Sequence, residues 1–220
     1  MHNLRYLYNM RTLLFTLLLF PLFALGQARI PQVDTIIKCT NYVSYFSYKQ
    51  RNPIALTYKL YQGGGPCSRA GFRFKNDLPI PCLTDKDYLK TGYDKGHLAN
   101  AEDFAYNCVL DELTFRYYNC VPQTKTLNRG IWKQYETKVR DLSQTDSLVV
   151  VCYNDFSTNK VEPTTKMPIP TSCVKAAWSL SKKQWLFIAV FENDLDPEVK
   201  EITNVQFQNT FKVDLLTLIK

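Results

Sequence analysis

Three apolar runs in the second half of the chain limit the fold more than any other feature. SLVVVCYN (147–154) reads as a buried strand, and CVKAAWSL (173–180) and QWLFIAVF (184–191) flank Ser181-Lys182-Lys183 as the arms of a hairpin. IALTYKLY (54–61) alternates and adds another strand. Between these the period changes. Ile131, Tyr135, Val139 and Leu142 recur at helical spacing with Lys and Arg on the other side, which predicts a helix over 128–143. GGGPC (63–67) reads as a turn, and residues 68–91 as an irregular surface loop. Strands and helices mix without βαβ alternation. The expected class is α+β, a central antiparallel sheet flanked by helices, in one domain over 27–220.

The N-terminus carries Arg5 and Arg11 with no acid, then an apolar run from Leu13 to Leu25, then the small-residue end ALGQA. This is the pattern of a secretory signal peptide over 1–26, cut after Gly26 or Ala28. The run is too short for a comfortable membrane span, so a secreted or periplasmic product with no membrane anchor is expected. Cleavage after Gly26 leaves 25 basic residues against 20 acidic ones, a net +5 that suits a polyanionic partner. All seven cysteines lie beyond the leader and read as a disulfide framework. Pairing between sequence neighbours would give Cys67–Cys82, Cys108–Cys120 and Cys152–Cys173, leaving Cys39 over. No CxxC pair is present, which argues against structural zinc, and no phosphate-cradling GxxxxGK[ST] or dinucleotide GxGxxG occurs.

Only one histidine, His97, lies beyond the leader, in GYDKGHLANAEDF (92–104). Gly96 before it allows close backbone approach, Lys95 supplies positive charge, and Asp94 can brace the site. Glu102 and Asp103 read as solvated surface charges. In YYNCVPQTKTLNRGIWKQYE (117–136) the polar residues of interest are Asn119, Asn128 and Glu136. Asn128 falls at the start of the predicted helix, where its plain reading is an N-cap. Glu136, eight residues on, would lie ~80° around and roughly 12 Å along the axis. The two could face one cleft but not share one small ion directly, whereas Mg²⁺ keeps waters and takes few protein ligands. A histidine near its ordinary pKa, a hard cation and basic groups are what cleavage of a phosphodiester requires.

These blocks resemble the DNA/RNA non-specific endonuclease family, the ββα-metal nucleases related to endonuclease G. The family pattern is D-R-G-H, then N-x-x-P-Q, then L-N-x-x-x-W-x-x-x-E. Here stand Asp94-Lys95-Gly96-His97, Asn119-Cys120-Val121-Pro122-Gln123, and Leu127-Asn128 with Trp132 and Glu136. The resemblance runs from about residue 40 to the C-terminus. It implies a ββα-metal motif, His97 as general base and Asn128 as the one direct ligand of a single Mg²⁺, which Mn²⁺ could replace. It further implies Glu136 acting on the ion through a water, and Asn119 orienting the histidine. The phosphate-binding arginine matches Arg69, with Arg73 as the alternative. The implied substrates are DNA and RNA, held by their backbones without base preference; the oligomeric state is left open. One departure stands out: Lys95 replaces the arginine of D-R-G-H, and a point charge binds phosphate with looser geometry than a guanidinium fork. That departure keeps a second reading open, a secreted nucleic-acid-binding or surface protein with the same fold and no turnover.

Overall fold

The computed structural model describes residues 30–219. The leader and its cleavage points lie outside the described residues. The chain runs β1 (Thr35–Lys38), β2 (Val43–Ser47), β3 (Asn52–Leu60), α1 (Asp85–Tyr88), β4 (Tyr93–His97), α2 (Cys108–Leu113) and β5 (Cys120–Thr124). It continues through α3 (Lys125–Arg129), α4 (Ile131–Ser143), β6 (Leu148–Asp155), β7 (Ser172–Ser179), β8 (Gln184–Glu192), β9 (Val199–Glu201) and α5 (Asn204–Phe211), with 3₁₀ turns at Ala101–Phe104, Tyr117–Asn119 and Leu215–Leu218. No described helix is long and apolar enough to cross a membrane.

The expected α+β architecture is present. Seven strands form one sheet in the order β1-β2-β3-β6-β7-β8-β9, and every neighbouring pair is antiparallel. The apolar run of β6 is explained by burial on both faces. Leu148, Val150 and Cys152 join one core, while Val149, Val151 and Tyr153 join the other. The β7–β8 hairpin closes between Ser179 and Gln184, with Lys183 in the left-handed region (φ 52°). Ser172–Ser179 and Gln184–Glu192 thus fall where the apolar runs placed them.

On the first core sits a separate two-stranded ribbon, β4 with β5, followed directly by α3 and α4. This is a ββα unit. The helix expected over 128–143 is in fact two. Thr124 caps α3 by accepting from the Leu127 amide, and the path bends at Gly130 before α4 begins. A Cβ at Gly130 would stand 2.4 Å from the Thr126 carbonyl oxygen, so only glycine lets the chain turn there. Asn128 therefore sits in the last turn of α3 and is not a helix cap. Trp132 and Val139 are fully buried, with Ile131, Tyr135 and Leu142 packed beside them.

The disulfide framework is smaller than expected. One bond, Cys67–Cys108, spans 41 residues with its Cα atoms 5.3 Å apart. The three local pairs do not form. Cys82, Cys120, Cys152 and Cys173 are buried thiols, and Cys39 is a half-buried one. Cys152 lies opposite Lys175, and Cys173 opposite Asn154, so these two are diagonal neighbours across β6 and β7. Cys108 opens α2 on the surface, whereas Cys120 points into the core from β5.

Candidate active site

His97 ends β4, and its position is set from several directions. Gly96 lies against Gln123; a Cβ there would meet the Gln123 Oε1 at 2.0 Å, so the close approach that glycine permits serves the packing of the ribbon. The His97 carbonyl accepts from the Trp132 indole N–H (3.2 Å), which ties the strand to α4. The Leu98 amide donates to the Asn119 carbonyl (2.9 Å). Asn119 is wholly buried; its Oδ1 accepts from the Ala99 amide (2.9 Å), and its Nδ2 donates to the Ala99 and Thr114 carbonyls (3.0 and 2.7 Å). Asn119 thus holds the backbone just past the histidine. The imidazole lies between Phe74 and Phe115, each ring centre 4.8 Å away, and its Nε2 makes no hydrogen bond among the described residues. Burial, followed by the nearby cations Arg69, Lys175 and Lys95, pushes its pKa down to about 3. The near-ordinary pKa expected from the sequence is thus corrected by burial: the ring is neutral well below neutral pH, and Nε2 is left free to take a proton.

Asn128 and Glu136 flank the same space. The Asn128 Nδ2 donates to Asp94 Oδ2 (3.1 Å), which fixes the amide the other way round and leaves Oδ1 without a protein partner among the described residues. Arg129 holds the same carboxylate through two bonds of 2.7 and 2.9 Å. Burial works against the charge on Asp94, but these hydrogen bonds keep its pKa below the usual carboxylate range. Asp94 does brace the site, through Asn128. Glu136 is buried on α4, and burial raises its pKa; Lys175, a hydrogen bond with Asn100, and Arg140 oppose that rise.

His97, Asn128 and Glu136 line one open cavity of about 640 Å³ with Arg69, Asn100, Glu102, Phe115, Arg129, Lys133 and Arg140. Four cationic side chains against two carboxylates make its wall net positive. Arg69 reaches this wall and pairs with Glu102. Arg73 is exposed, donates to the neighbouring Phe72 carbonyl (2.8 Å) and does not reach the cavity. Of the two arginines, Arg69 is the one that lines the cavity. Lys95 does not line the cavity either: Phe74 stands between it and His97, its Nζ lies 5.0 Å from that ring, and it pairs with Asp85. The reading of Glu102 and Asp103 as solvated charges is corrected. The 3₁₀ turn at Ala101–Phe104 folds Asp103 fully inside, where it accepts from Arg140 Nη1 (2.9 Å) and the Tyr58 hydroxyl (2.7 Å), while Glu102 faces the cavity.

The profile of the DNA/RNA non-specific endonuclease family matches residues 26–214. The chain belongs to this family. It is 29% identical over 219 residues to a nuclease of Syncephalastrum racemosum, covering 86% of this chain and 66% of that one. It is 36% identical over 83 residues to the mitochondrial nuclease EXOG of Xenopus laevis, 36% of this chain and 23% of that one. It is 28% identical over 133 residues to the mitochondrial endonuclease G of Bos taurus, 58% of this chain and 44% of that one. The chain thus spans between about a quarter and two thirds of these relatives. A chain in a crystal structure of an EndoG/EndoGI complex superposes with a TM-score of 0.71 at 20% identity, covering 83% of this chain and 85% of that one. At that identity the likeness speaks for the fold.

Members of this family were legible here from three motif blocks, but part of the cavity wall was not. Lys133, Glu136 and Arg140 follow one another at spacings of three and four as a stripe on α4, and Arg129 joins them from α3 across the bend at Gly130. The basic side of this helix shows in the sequence, but nothing local to it says that it faces a cavity rather than open solvent. Lys175 gave a quieter signal: it is the sole charge in CVKAAWSL.

Proposed function

We propose that this chain is a secreted, metal-dependent endonuclease that hydrolyses phosphodiester bonds in DNA and RNA with little base preference. The observation that carries this is the meeting of His97, Asn128, Glu136 and Arg69, from four separate segments, around one positively lined cavity. His97, neutral and unpartnered at Nε2, takes the proton of the attacking water. The rings of Phe74 and Phe115 hold the imidazole in place. Arg69, Arg129, Lys133 and Arg140 bind the phosphate backbone without reading base edges.

The residues present fit a hard divalent cation. Asn128 offers an amide oxygen left free by the Asp94 bond, and Glu136 offers a carboxylate at the same cavity. Asn128 would hold Mg²⁺ directly and Glu136 across a water, with Mn²⁺ as a substitute. No three His, Cys, Asp or Glu side chains cluster as a ligand set among the described residues, in keeping with one ion taking few protein ligands. When bound, the ion neutralises charge that builds on the phosphate. Lys95, tied to Asp85 behind Phe74, lies outside the cavity, so its departure from the family arginine does not thin the cationic wall. The Cys67–Cys108 bond suits the oxidising compartment that the leader points to.

The test is digestion of plasmid and of RNA with EDTA, with Mg²⁺ or Mn²⁺ restored, and with His97→Ala in parallel. Cleavage that disappears with EDTA, returns with the ion and drops in His97→Ala supports the reading. Digestion by His97→Ala at the parental rate overturns it.

A further inference from the structure

Lys175 is the most unusual side chain in the large sheet. It sits in the middle of β7, its residue fully buried, between Val174 and Ala176, which face the opposite core. Strand alternation sends it to the face that carries the ribbon and α4. Its Nζ donates to the Leu98 carbonyl (3.1 Å), one residue past His97, and stands 4.4 Å above the Trp132 ring. The Cys152 thiol donates to the same carbonyl (3.4 Å). Trp132 in turn donates to the His97 carbonyl. Two consecutive carbonyls at the end of β4 are therefore held by two groups that also touch each other, one from the sheet and one from α4.

Burying an ammonium is costly unless the surroundings compensate it. Asp103 and Glu136 lie near enough for Lys175 to favour their charged forms, and Arg140 completes a balanced set of two cations and two carboxylates beneath the cavity. A methionine or leucine would fill the same space in a strand of this composition at lower electrostatic cost. The sheet keeps a charge here, aimed at the segment that bears the histidine.

We propose that Lys175 is a positioning residue for phosphodiester cleavage: by fixing the Leu98 carbonyl and the Trp132 ring it sets where the His97 imidazole stands relative to Asn128 and Glu136. This rests on His97 being the base. The experiment uses the full chain in Lys175→Met, which removes charge and donor, and in Lys175→Gln, which keeps a shorter donor. Displacing a general base by about an ångström costs on the order of 10²-fold, so Lys175→Met should lower kcat by roughly 10- to 100-fold. KM should stay within about twofold, because the phosphate contacts are untouched. Lys175→Gln should fall between parent and Lys175→Met. The full chain has two histidines, His2 and His97, so the ring resonances of His97 are identified by NMR as those missing from His97→Ala. They should move away from the ring-current-shifted values set by Phe74 and Phe115, while the signals of Phe207 on the other face stay put.

A folded Lys175→Met with parental kcat, a loss confined to KM, or unmoved His97 resonances would overturn the inference. So would failure of both variants to fold, which would make Lys175 a determinant of the fold alone. If His97→Ala cleaves normally while Lys175→Met still moves the ring, the assignment of the base has failed and the placement of the ring has not.

Discussion

The two faces of the seven-stranded sheet are built on opposite principles. One face is closed by α5 and the C-terminal 3₁₀ turn, with Tyr153, Phe207 and Phe211 in mutual contact at ring distances of 4.7–5.5 Å. The other is closed by the β4–β5 ribbon and α4, and within its apolar packing it buries Lys175, Asp103 and Glu136. Apolar packing is tolerant of exchange as long as volume is kept. A buried charge tolerates little, because removing one partner strands the others in a low dielectric. The face that bears the candidate site thus gives up adaptability in return for fixed polar groups close to a cavity. The apolar face carries the cheaper share of the stability.

The sharpest way to break this contrast is to strip one group from each face. His97→Ala should cut the rate of plasmid digestion by about 10²–10⁴-fold while leaving thermal unfolding within a few degrees of the parent. Phe207→Ala should do the reverse. It should cost about 3–5 kcal/mol in a urea titration, and the protein still folded should keep parental kcat. If Phe207→Ala also abolishes kcat below its unfolding transition, the two faces are coupled and the contrast is false.

Arg69 tests the contrast at its margin, where a surface loop completes the site. The Cys67–Cys108 bond staples that loop to α2, and the Cys67 amide donates to the Ala105 carbonyl (3.0 Å). Cys67→Ser paired with Cys108→Ser should lower stability by about 2–4 kcal/mol. It should also raise KM for DNA through Arg69 and lower kcat by less, since the segments that carry Phe74 and Phe115 beside the imidazole stay joined by the bond from the Lys75 amide to the Phe115 carbonyl (3.1 Å); equal losses in both constants would show that the disulfide itself supports the histidine.

The smallest effect concerns a buried acid without partners. Asp111 on α2 is fully buried, and among the described residues neither of its carboxylate oxygens has a hydrogen-bond donor. Burial, with Arg69 opposing and Glu102 reinforcing, moves its pKa up to about 6. A raised folded-state value means that the protonated acid is stabilising below the ordinary carboxylate range, near pH 4, and that this stability is lost as pH rises through 6. Asp111→Asn should therefore raise stability at pH 7.5 by on the order of 2 kcal/mol and change little at pH 4. Equal unfolding midpoints of parent and variant at pH 7.5 would show that this carboxylate carries no such penalty.

Which parts could be read in advance follows from the range of the interactions. Patterns local to a strand or helix were readable: the β7–β8 hairpin, the double burial of β6, and the apolar side of α4. His97, Asn128 and Glu136, singled out by motif spacings kept within short blocks, do line one cavity, and Asn119 holds the backbone beside it. The bend at Gly130 was missed because helical periodicity carries on across it, and the clash with Thr126 that requires glycine appears only once α3 has formed. The local cysteine pairs failed because nearness in sequence is no guide to which thiols a fold turns outward. Glu102 and Asp103 look alike in sequence, yet one turn of 3₁₀ helix sends them to opposite environments.

The sequence by itself determined the class of the fold, the strand pattern and the identities of the groups that could do chemistry, since side-chain type and short-range period are properties of the chain. Tertiary structure alone decided which groups meet. It put Arg69 and not Arg73 at the cavity, set Lys95 behind Phe74, turned the Asn128 amide by way of Asp94, and brought Lys175 beneath the histidine from 78 residues away. Those choices depend on sheet order and on burial, which arise only when distant segments exclude water from one another.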